Sequence, residues 1–192
     1  MCGLFALLCE VIITIKSIIT PATTTDAEAL SSLVNSAYRG ESSRVGWTTE
    51  ADLLDGTRTD AAAIAAAIAT PGTTLLKHTE NEEITGCVEL VRNGDSMYLG
   101  MLTVKPGLQG AGLGKTILLA AEAFAHAKGC TTIHMTVISL RAELIAWYLR
   151  QGYHLTGQKK PFAFNDPRFG LPKRPLEFEV LEKNLAKINI KR

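Results

Sequence analysis

The part of the sequence best suited to chemistry is a glycine-rich stretch between an apolar run and a helix pattern. The apolar, β-prone residues 97–104 meet the breaker pair Pro106-Gly107, and glycines then occupy positions 110, 112 and 114. A glycine-rich turn at a helix N-terminus leaves backbone N–H groups unpaired, and the helix dipole adds partial positive charge. The stretch therefore predicts a binding site for a phosphorylated cofactor.

Three glycine-rich phosphate loops compete for this stretch, and two of them do not fit. The nucleotide-triphosphate loop could use Gly114-Lys115-Thr116, but it also needs a glycine at the position of Gln109. The dinucleotide fingerprint Gly-x-Gly-x-x-Gly fails in both registers, because its third glycine falls on Lys115 or Ile117. A strand–helix turn whose glycines serve only close packing is the plain structural alternative.

The third loop has the pattern Gln109-x-x-Gly112-x-Gly114, after a Leu-x-Val strand end and before a helix. It resembles the acyl-CoA pyrophosphate loop of the GCN5-related N-acetyltransferase (GNAT) superfamily, whose pattern is Gln/Arg-x-x-Gly-x-Gly/Ala. The resemblance implies acetyl-CoA as the acyl donor. It also implies that seven consecutive residues bind the donor: Gln109, Gly110, Ala111, Gly112, Leu113, Gly114 and Lys115.

A second match lies in the helix pattern of residues 140–151. Arg141, Tyr148, Gly152 and Tyr153 have a spacing that resembles the superfamily signature Asn-x-x-Ala-x-x-x-Tyr-x-x-x-Gly-Phe. Tyr148 falls on the tyrosine that in many relatives protonates the departing CoA thiolate, so the resemblance implies Tyr148 as the catalytic general acid. A phenol with a pKa of about 10 can donate its proton to a thiolate whose thiol has a pKa of about 8–9. The alternative is a helix aromatic that packs in the core.

Gly100 lies inside the strand pattern of residues 97–104. A glycine in a strand weakens it and often marks a bulge or a close backbone approach. In the GNAT superfamily a bulge separates this strand from the next one, and the pantetheine arm lies in the gap. The resemblance therefore assigns backbone contacts with the donor to Leu102, Thr103 and Val104, with one amide polarising the thioester carbonyl. A glycine that serves packing alone is the alternative.

Two features depart from the superfamily pattern. Arg141 replaces an asparagine that often touches CoA, and it could reach the donor or be a solvated helix-start residue. The general base is missing, because the glycine-containing strand has no carboxylate and Thr136 stands at the usual glutamate position of the next strand. Glu89, Glu50, Asp52 or a chain of waters could remove the amine proton. Each of these carboxylates is expected to be a surface charge.

The elements that position these groups follow from periodicity and breaker residues. The order is β-α-α-β-β-β-α-β-α-β-β, with an antiparallel meander of strands two to four and parallel strands four and five. This order matches the GNAT fold, a mixed α/β fold with a mostly antiparallel sheet of about seven strands flanked by about four helices. The predicted strands are residues 11–20, 73–79, 84–92, 97–104, 131–138, 153–158 and 176–183, and the helices lie at 25–40, 59–70, 115–128 and 140–151.

Local signals mark several element ends. The sequence Thr25-Asp26-Ala27-Glu28 has the form of a capping box for the first helix, and Thr59 is the predicted cap of the second. Asn81-Glu82 and Asn93-Gly94 are the predicted hairpin turns.

Two polar loops are expected to form the wall of the acceptor site. Long loops with aromatic residues line sites more often than strands do, although capped surface loops are the alternative. The residues concerned are Trp47, Glu50, Asp52 and Arg58 in residues 41–59, and Phe162, Phe164, Asp166, Arg168 and Phe169 in residues 161–175.

Composition and charge exclude several classes of function. The formal net charge of +1 gives no electrostatic case for a nucleic-acid partner. The four cysteines and four histidines lack ligand spacing, so we predict no metal site and reduced thiols in a cytoplasmic protein. The apolar residues 3–9 fall short of the roughly 20 residues that span a bilayer, so we predict no membrane segment. The length of 192 residues suits one domain, residues 11–192, after an N-terminal extension, residues 1–10.

The sequence as a whole predicts an acetyl-CoA-dependent N-acetyltransferase. An amine of a small molecule or peptide would attack the thioester directly in a ternary complex, since no cysteine lies in either motif to form an acyl-enzyme. The alternative is a non-catalytic acyl-CoA-binding or regulatory module of the same fold, which the missing base favours. The alternating residues 176–180 are the candidate edge for a possible homodimer.

Overall fold

The computed structural model describes residues 17–162 and 170–186 of the chain. Among the helices in these residues, none has the length and apolarity needed to cross a membrane. The strands are β1 (Ser17–Pro21), β2 (Leu54–Asp55), β3 (Thr73–Glu80), β4 (Glu83–Asn93), β5 (Ser96–Val104), β6 (Thr132–Ile138), β7 (His154–Pro161), β8 (Leu171–Pro172) and β9 (Glu177–Asn184). The helices are α1 (Ala27–Tyr38), α2 (Ala61–Ala69), α3 (Leu113–Ala127) and α4 (Ala142–Arg150).

One large sheet organises the chain. Seven strands lie in the order β1-β3-β4-β5-β6-β9-β7, and β2 pairs with β8 in a separate two-stranded sheet. All the pairs in the large sheet are antiparallel except β5 with β6. The predicted mixed α/β class, the mostly antiparallel seven-stranded sheet and the four helices are confirmed.

Apolar side chains alternate between the two faces of the sheet and build two cores. Leu75 and Cys87 belong to the core completed by α1 and α2, whereas their neighbours Leu76 and Val88 belong to the core completed by α3 and α4. The predicted inner face of α1 is confirmed, because its apolar residues are all buried: Leu30, Leu33, Val34, Ala37 and Tyr38.

The helix caps lie close to their predicted positions but use different residues. The capping interaction before α1 joins Thr23 to Asp26, whose carboxylate accepts from the Thr23 N–H at 2.8 Å, so the box begins two residues earlier than predicted. The cap of α2 is Asp60 rather than Thr59, and Asp60 Oδ1 accepts from the Ala63 N–H at 2.7 Å. Aspartate is the better N-cap of the two types, which explains the choice of Asp60.

The predicted meander of β3, β4 and β5 is confirmed. Asn81 and Glu82 adopt φ values of 49° and 68°, and two turn residues with positive φ match the twist of a hairpin. The second turn lies one residue beyond the predicted Asn93-Gly94, because Asn93 still pairs with Ser96 and Gly94, at φ 63°, is the first turn residue.

The parallel pairing of β5 with β6 is confirmed, but in the described chain it covers only three residue pairs and ends at Tyr98. Beyond that point the register between β4 and β5 slips, so that Met101 and Leu102 lie opposite Val88. Met101 adopts a φ of 51°, which is unusual for a residue with a side chain. The predicted bulge is therefore present, just after Gly100, where β5 and β6 separate.

The two loops that received no predicted secondary structure contact each other. Residues 41–45 form a 3-10 helix, and β2 pairs antiparallel with β8, with Leu54 opposite Pro172. Strands of two residues are too short to give a periodic pattern, so the sequence did not indicate them. The predicted extension (residues 1–10), the start of the first predicted strand and the loop residues Phe164, Asp166, Arg168 and Phe169 lie outside the described residues.

The last strand is an interior strand of the sheet. β9 pairs with β6 on one side and with β7 on the other, so the proposal that residues 176–180 form a free edge is wrong. The alternation that suggested an edge reflects a strand with two sheet faces. A homodimer remains a prediction.

Candidate active site

The glycine-rich stretch connects the end of β5 to the start of α3. The 3-10 helix Pro106–Leu108 turns the chain, and Gly110 and Gly112 then adopt φ values of 86° and 91°. Residues with a side chain are strained in this region, so both positions require glycine. α3 begins at Leu113, two residues before the predicted start, with Gly112 as its N-cap.

The first turn of α3 presents backbone donors. The first helical hydrogen bond runs from the Thr116 N–H to the Gly112 carbonyl at 3.1 Å. The N–H groups of Leu113, Gly114 and Lys115 precede it, so they have no partner within the helix. The helix dipole and the Lys115 ammonium add positive charge at the same end. This arrangement suits a phosphate or pyrophosphate group.

The Gln109 side chain connects the glycine-rich stretch to neighbouring segments through three hydrogen bonds. Its Oε1 accepts from the Trp47 N–H at 2.9 Å, and its Nε2 donates to Thr48 Oγ1 at 2.9 Å and to the Val104 carbonyl at 3.0 Å. A Cβ on Gly46 would lie 2.6 Å from Gln109 Oε1, so Gly46 makes room for this contact. These bonds give the Gln109 side chain a positioning role, and a contact between Gln109 and the donor remains a prediction.

A first cavity of about 450 Å³ opens beside the glycine-rich stretch. Seven of the ten predicted donor-binding residues line it: Leu102, Val104, Gln109, Gly110, Gly112, Gly114 and Lys115. The side chain of Thr103 is buried and donates to the Met101 carbonyl at 3.0 Å, and Leu113 packs against the core, while Ala111 is exposed. Tyr148 and Trp47, which the sequence analysis named for other roles, also line it, and the sequence did not indicate the rest of the lining: Tyr38, Thr48, Glu143, Leu144, Trp147, Arg150 and Gln151.

The open side of β5 offers backbone groups to this cavity. The Leu102 carbonyl accepts from the Tyr38 hydroxyl at 2.6 Å, and the Val104 carbonyl accepts from Gln109 at 3.0 Å. Both carbonyls thus point away from β4. The N–H and C=O of one strand residue point to the same side, so the Leu102 and Val104 N–H groups face the gap between β5 and β6.

Aromatic rings form another wall of the first cavity. The Trp47 and Trp147 rings lie 6.3 Å apart between centroids, and the Trp147 and Tyr148 rings lie 4.9 Å apart, edge to face. Tyr148 is only 5% exposed. Burial raises the pKa of the Tyr148 phenol above its ordinary value, so the hydroxyl keeps its proton at neutral pH.

A second cavity of about 380 Å³ adjoins the first. Four residues line both cavities, namely Tyr38, Leu102, Leu144 and Tyr148. The second cavity differs in its charged lining: Glu50, Arg58, Glu89 and Arg141. Tyr148 and the bulged part of β5 therefore lie where two chemically different cavities meet.

Glu89 reaches the second cavity through the space that Gly100 leaves. A Cβ on Gly100 would lie 3.2 Å from Glu89 Oε2 and 3.0 Å from Tyr98 Cε1. Burial raises the pKa of the Glu89 carboxyl above its ordinary value, and the charge of Arg58 opposes that shift. The expectation that Glu89 is a surface charge is therefore wrong, and Gly100 has a packing role as well as its place beside the bulge.

Glu50 lies in a buried group of charges. It is 8% exposed, forms an ion pair with Arg39, and lies 3.7 Å from Arg141 Nη1. The expectation of a surface charge is wrong for Glu50 but correct for Asp52, which forms an exposed pair with Arg44 at 2.9 Å. Arg141 is 4% exposed, so it is not a solvated residue, and it lines the second cavity but not the first.

Several residues of the first loop predicted to form the acceptor wall line the two cavities. Trp47 lines the first cavity, and Glu50 and Arg58 line the second. Within residues 17–162 and 170–186, no group of three His, Cys, Asp or Glu side chains is placed to hold a metal ion.

Comparison with known families identifies the class of protein. The chain matches the family described as the acetyltransferase (GNAT) domain over residues 49–166. This match covers more than half of the chain and includes both the glycine-rich stretch and Tyr148, so the chain belongs to the GNAT family. Among curated proteins, no sequence matches it.

Solved structures confirm the GNAT fold. The ribosomal-protein-S18-alanine N-acetyltransferase from Escherichia coli is 15% identical, with a TM-score of 0.66 over 92% of this chain and 99% of its own. The PaiA N-acetyltransferase from Thermoplasma acidophilum, solved with coenzyme A, is 17% identical, with a TM-score of 0.62 over 88% and 99%. YncA from Salmonella typhimurium, solved with its cofactor acetyl-CoA, is 22% identical, with a TM-score of 0.64 over 92% and 98%.

Proposed function

We propose that this chain is an acetyl-CoA-dependent N-acetyltransferase that acetylates the amine of a small molecule or peptide by direct attack in a ternary complex. The observation that carries the proposal is the meeting of the two cavities at Tyr148 and Leu102. A donor in one cavity and an acceptor in the other would present thioester and amine to each other at the shared wall. Holding two reactants in this way removes much of the entropic barrier to reaction.

The first cavity offers groups for both the pyrophosphate and the amide-containing arm of the donor. The free N–H groups at the start of α3 and the Lys115 charge would bind the pyrophosphate, with Gly110, Gly112 and Gly114 allowing close approach. The gap-facing N–H groups of Leu102 and Val104 would bind the amide-containing arm of the donor. Thr103, Ala111 and Leu113 could contribute only through their backbone, because their side chains lie elsewhere.

Glu89 is the proposed general base. An alkylammonium acceptor must lose a proton before it can attack the thioester carbon. The Glu89 carboxylate lines the second cavity, and its raised pKa makes it a stronger base than an exposed glutamate. The Glu50 carboxylate already forms an ion pair with Arg39 and lies 3.7 Å from Arg141 Nη1, whereas Glu89 has no such partner in the described ion pairs.

Tyr148 is the proposed general acid. As the carbon–sulfur bond breaks, the thiolate takes a proton from the phenol, which donates it from the wall between the cavities. The alternative of a non-catalytic acyl-CoA-binding module was favoured by a missing base. A partly buried carboxylate that lines the second cavity removes that argument.

Thermal unfolding tests the donor site. Acetyl-CoA at about 100 times its dissociation constant should stabilise the fold by roughly 2.7 kcal/mol, or about 5–10 °C in Tm, whereas ATP–Mg²⁺ should have no effect. Gly114→Asp should abolish the shift, because it places a carboxylate where the pyrophosphate binds. Stabilisation by ATP–Mg²⁺ without any by acetyl-CoA would contradict the proposal.

Gly107→Asp is the matched control for this experiment. Gly114 lacks the left-handed φ of Gly112, and a Cβ there would meet Val104 and Trp147 at 3.7 and 3.8 Å, which are ordinary contacts. A Cβ on Gly107 would meet nothing within 4 Å, and Gly107 does not line the cavity. Both variants should therefore fold, and only Gly107→Asp should keep the acetyl-CoA shift. A panel of amines with detection of released thiol then tests catalysis itself.

A further inference from the structure

Charged groups of both signs line the second cavity. Arg58 and Arg141 line it together with Glu50 and Glu89, and Arg39 lies behind Glu50. With Glu143, which lies 3.8 Å from Arg141, three guanidinium groups accompany three carboxylates.

The arginines of this cavity also have unused hydrogen-bond donors. In the described part of the chain, Arg141 Nη2 and Arg58 Nε are buried without any hydrogen-bond partner. The carboxylates nearest to Arg141 are Glu50 at 3.7 Å and Glu143 at 3.8 Å, and both distances are too long for hydrogen bonds. A buried donor without a partner destabilises the protein, so such a group in a native cavity indicates a missing partner.

The chemistry of the missing partner follows from the guanidinium group. Its planar set of N–H donors matches the two oxygens of a carboxylate or of a phosphonate. Arg141 is 4% exposed, and the ring of Tyr38 holds the Arg58 guanidinium at 5.7 Å from its centroid. Both side chains are therefore held before a ligand arrives, which lowers the entropic cost of binding.

We propose that the acceptor carries an oxyanion as well as its amine, and that Arg141 and Arg58 bind this oxyanion in the second cavity. The inference rests on the proposed function and narrows its substrate class to amino acids and related amino oxyanions. The cavity volume of about 380 Å³ is in the range of small-molecule sites. Glu89 would then face the amine end of the acceptor and the arginines its anionic end.

Matched acceptor pairs test the proposal. Glycine, β-alanine, methionine, phenylalanine and glutamate would be compared with their carboxamides, and aminoalkylphosphonates with their neutral esters, by thiol release with acetyl-CoA. The anionic member of at least one pair should have a kcat/KM about 10- to 100-fold higher, the range expected for hydrogen bonds to a charged group. Preference for a carboxylate over its carboxamide, or for a phosphonate over its neutral ester, would each support the oxyanion site. The preferred type would identify the anion.

Arginine variants connect this preference to the cavity. Arg141→Met and Arg58→Met should each lower kcat/KM for the anionic acceptor by at least about 10-fold more than for its neutral partner. Arg44→Met is the control, because Arg44 pairs with Glu41 and Asp52 at the surface and lines neither cavity. The acetyl-CoA melting shift shows which variants remain folded, and Arg58→Met carries the test if Arg141→Met does not fold.

A binding measurement separates this inference from the proposed activity. In the presence of CoA, the N-acetyl derivative of the preferred acid should raise Tm, and its amide should not. The inference would be overturned if the amides had the same kcat/KM as the acids, or if the preference for the acid were unchanged in both arginine variants. The N-acetyltransferase proposal would stand in either case. If no amine releases thiol, the proposed function fails, and binding of the N-acetyl acids (N-acetylglycine to N-acetylglutamate) against their amides still decides whether the oxyanion site exists.

Discussion

The Tyr148 side chain borders both cavities and is buried among other rings. Tyr148→Phe keeps the ring and removes the proton that the leaving thiolate would receive. The turnover number should fall roughly 10²-fold or more, while the affinity for acetyl-CoA stays within a few-fold. Single-turnover kinetics with detection of released thiol measures both quantities.

Tyr153→Phe is the matched control for Tyr148→Phe. The Tyr153 ring lies 5.7 Å from that of Tyr148 and is equally buried, but it lines neither cavity. Loss of its hydroxyl should leave turnover unchanged. A fully active Tyr148→Phe would show that the thiolate leaves unprotonated or takes its proton from water, even though the family assignment stands.

Glu89 is the second residue whose chemistry can be tested alone. Glu89→Gln keeps the shape of the side chain and removes the base, so kcat/KM should fall by about 10²- to 10⁴-fold. Glu83→Gln is the control, because Glu83 lies on the same strand and is exposed beside Lys105. An active Glu89→Gln enzyme would indicate that a chain of waters removes the proton.

The stability of the same variant gives an independent measurement of the Glu89 environment. The pKa of Glu89 is higher in the folded state than its ordinary value of 4.5, so the folded protein binds the proton more tightly than the unfolded chain does. The free energy of unfolding contributed by this group is therefore largest below pH 4.5 and decreases as pH rises through the folded-state pKa. Tm of Glu89→Gln relative to the wild type should increase over that pH range, and a constant difference would contradict the assigned environment.

At the scale of the elements, long periodic segments were predictable and short ones were not. The buried face of α1 and the meander of β3 to β5 follow directly from apolar spacing. The two-residue strands β2 and β8 depend on a tertiary contact between two distant loops, which a local pattern does not contain. The observed cap of α2 differs from the predicted one because Thr59 and Asp60 could each cap the helix, and aspartate is the better N-cap residue.

The two halves of the candidate site differed in the same way. The glycine-rich stretch is contiguous in sequence, so its pattern located five of the residues that line the first cavity, whereas α1, α4 and the loop before β2 supply most of the others. The acceptor half draws charged residues from separate parts of the chain, including Glu50 before β2, Glu89 on β4 and Arg141 before α4. The sequence around a single charged residue does not show whether its side chain is buried by distant segments. For this reason Glu50 and Glu89 were wrongly expected at the surface.

At the scale of the whole molecule, the segment of residues 46–50 joins the two cavities. Trp47 lines the first cavity and Glu50 lines the second. Gln109 holds this segment against the end of β5 through its bonds to Trp47, Thr48 and Val104. One side chain from the glycine-rich stretch therefore fixes the relative positions of parts of both cavities.

Gln109→Leu tests this connection, because leucine has a similar size and can make none of the three hydrogen bonds. The partly buried Thr48 hydroxyl and Val104 carbonyl would lose their partner, so unfolding should become easier by about 2–4 kcal/mol and Tm should fall by about 5–10 °C. Gln158→Leu, on the exposed strand β7, should change Tm by no more than about 2 °C. Because the segment contributes to both cavities, Gln109→Leu should also weaken acetyl-CoA binding and raise KM for the acceptor together. The two cavities would be positioned independently if Gln109→Leu changed Tm no more than Gln158→Leu does. The same conclusion would follow if Gln109→Leu weakened acetyl-CoA binding but left the acceptor KM unchanged.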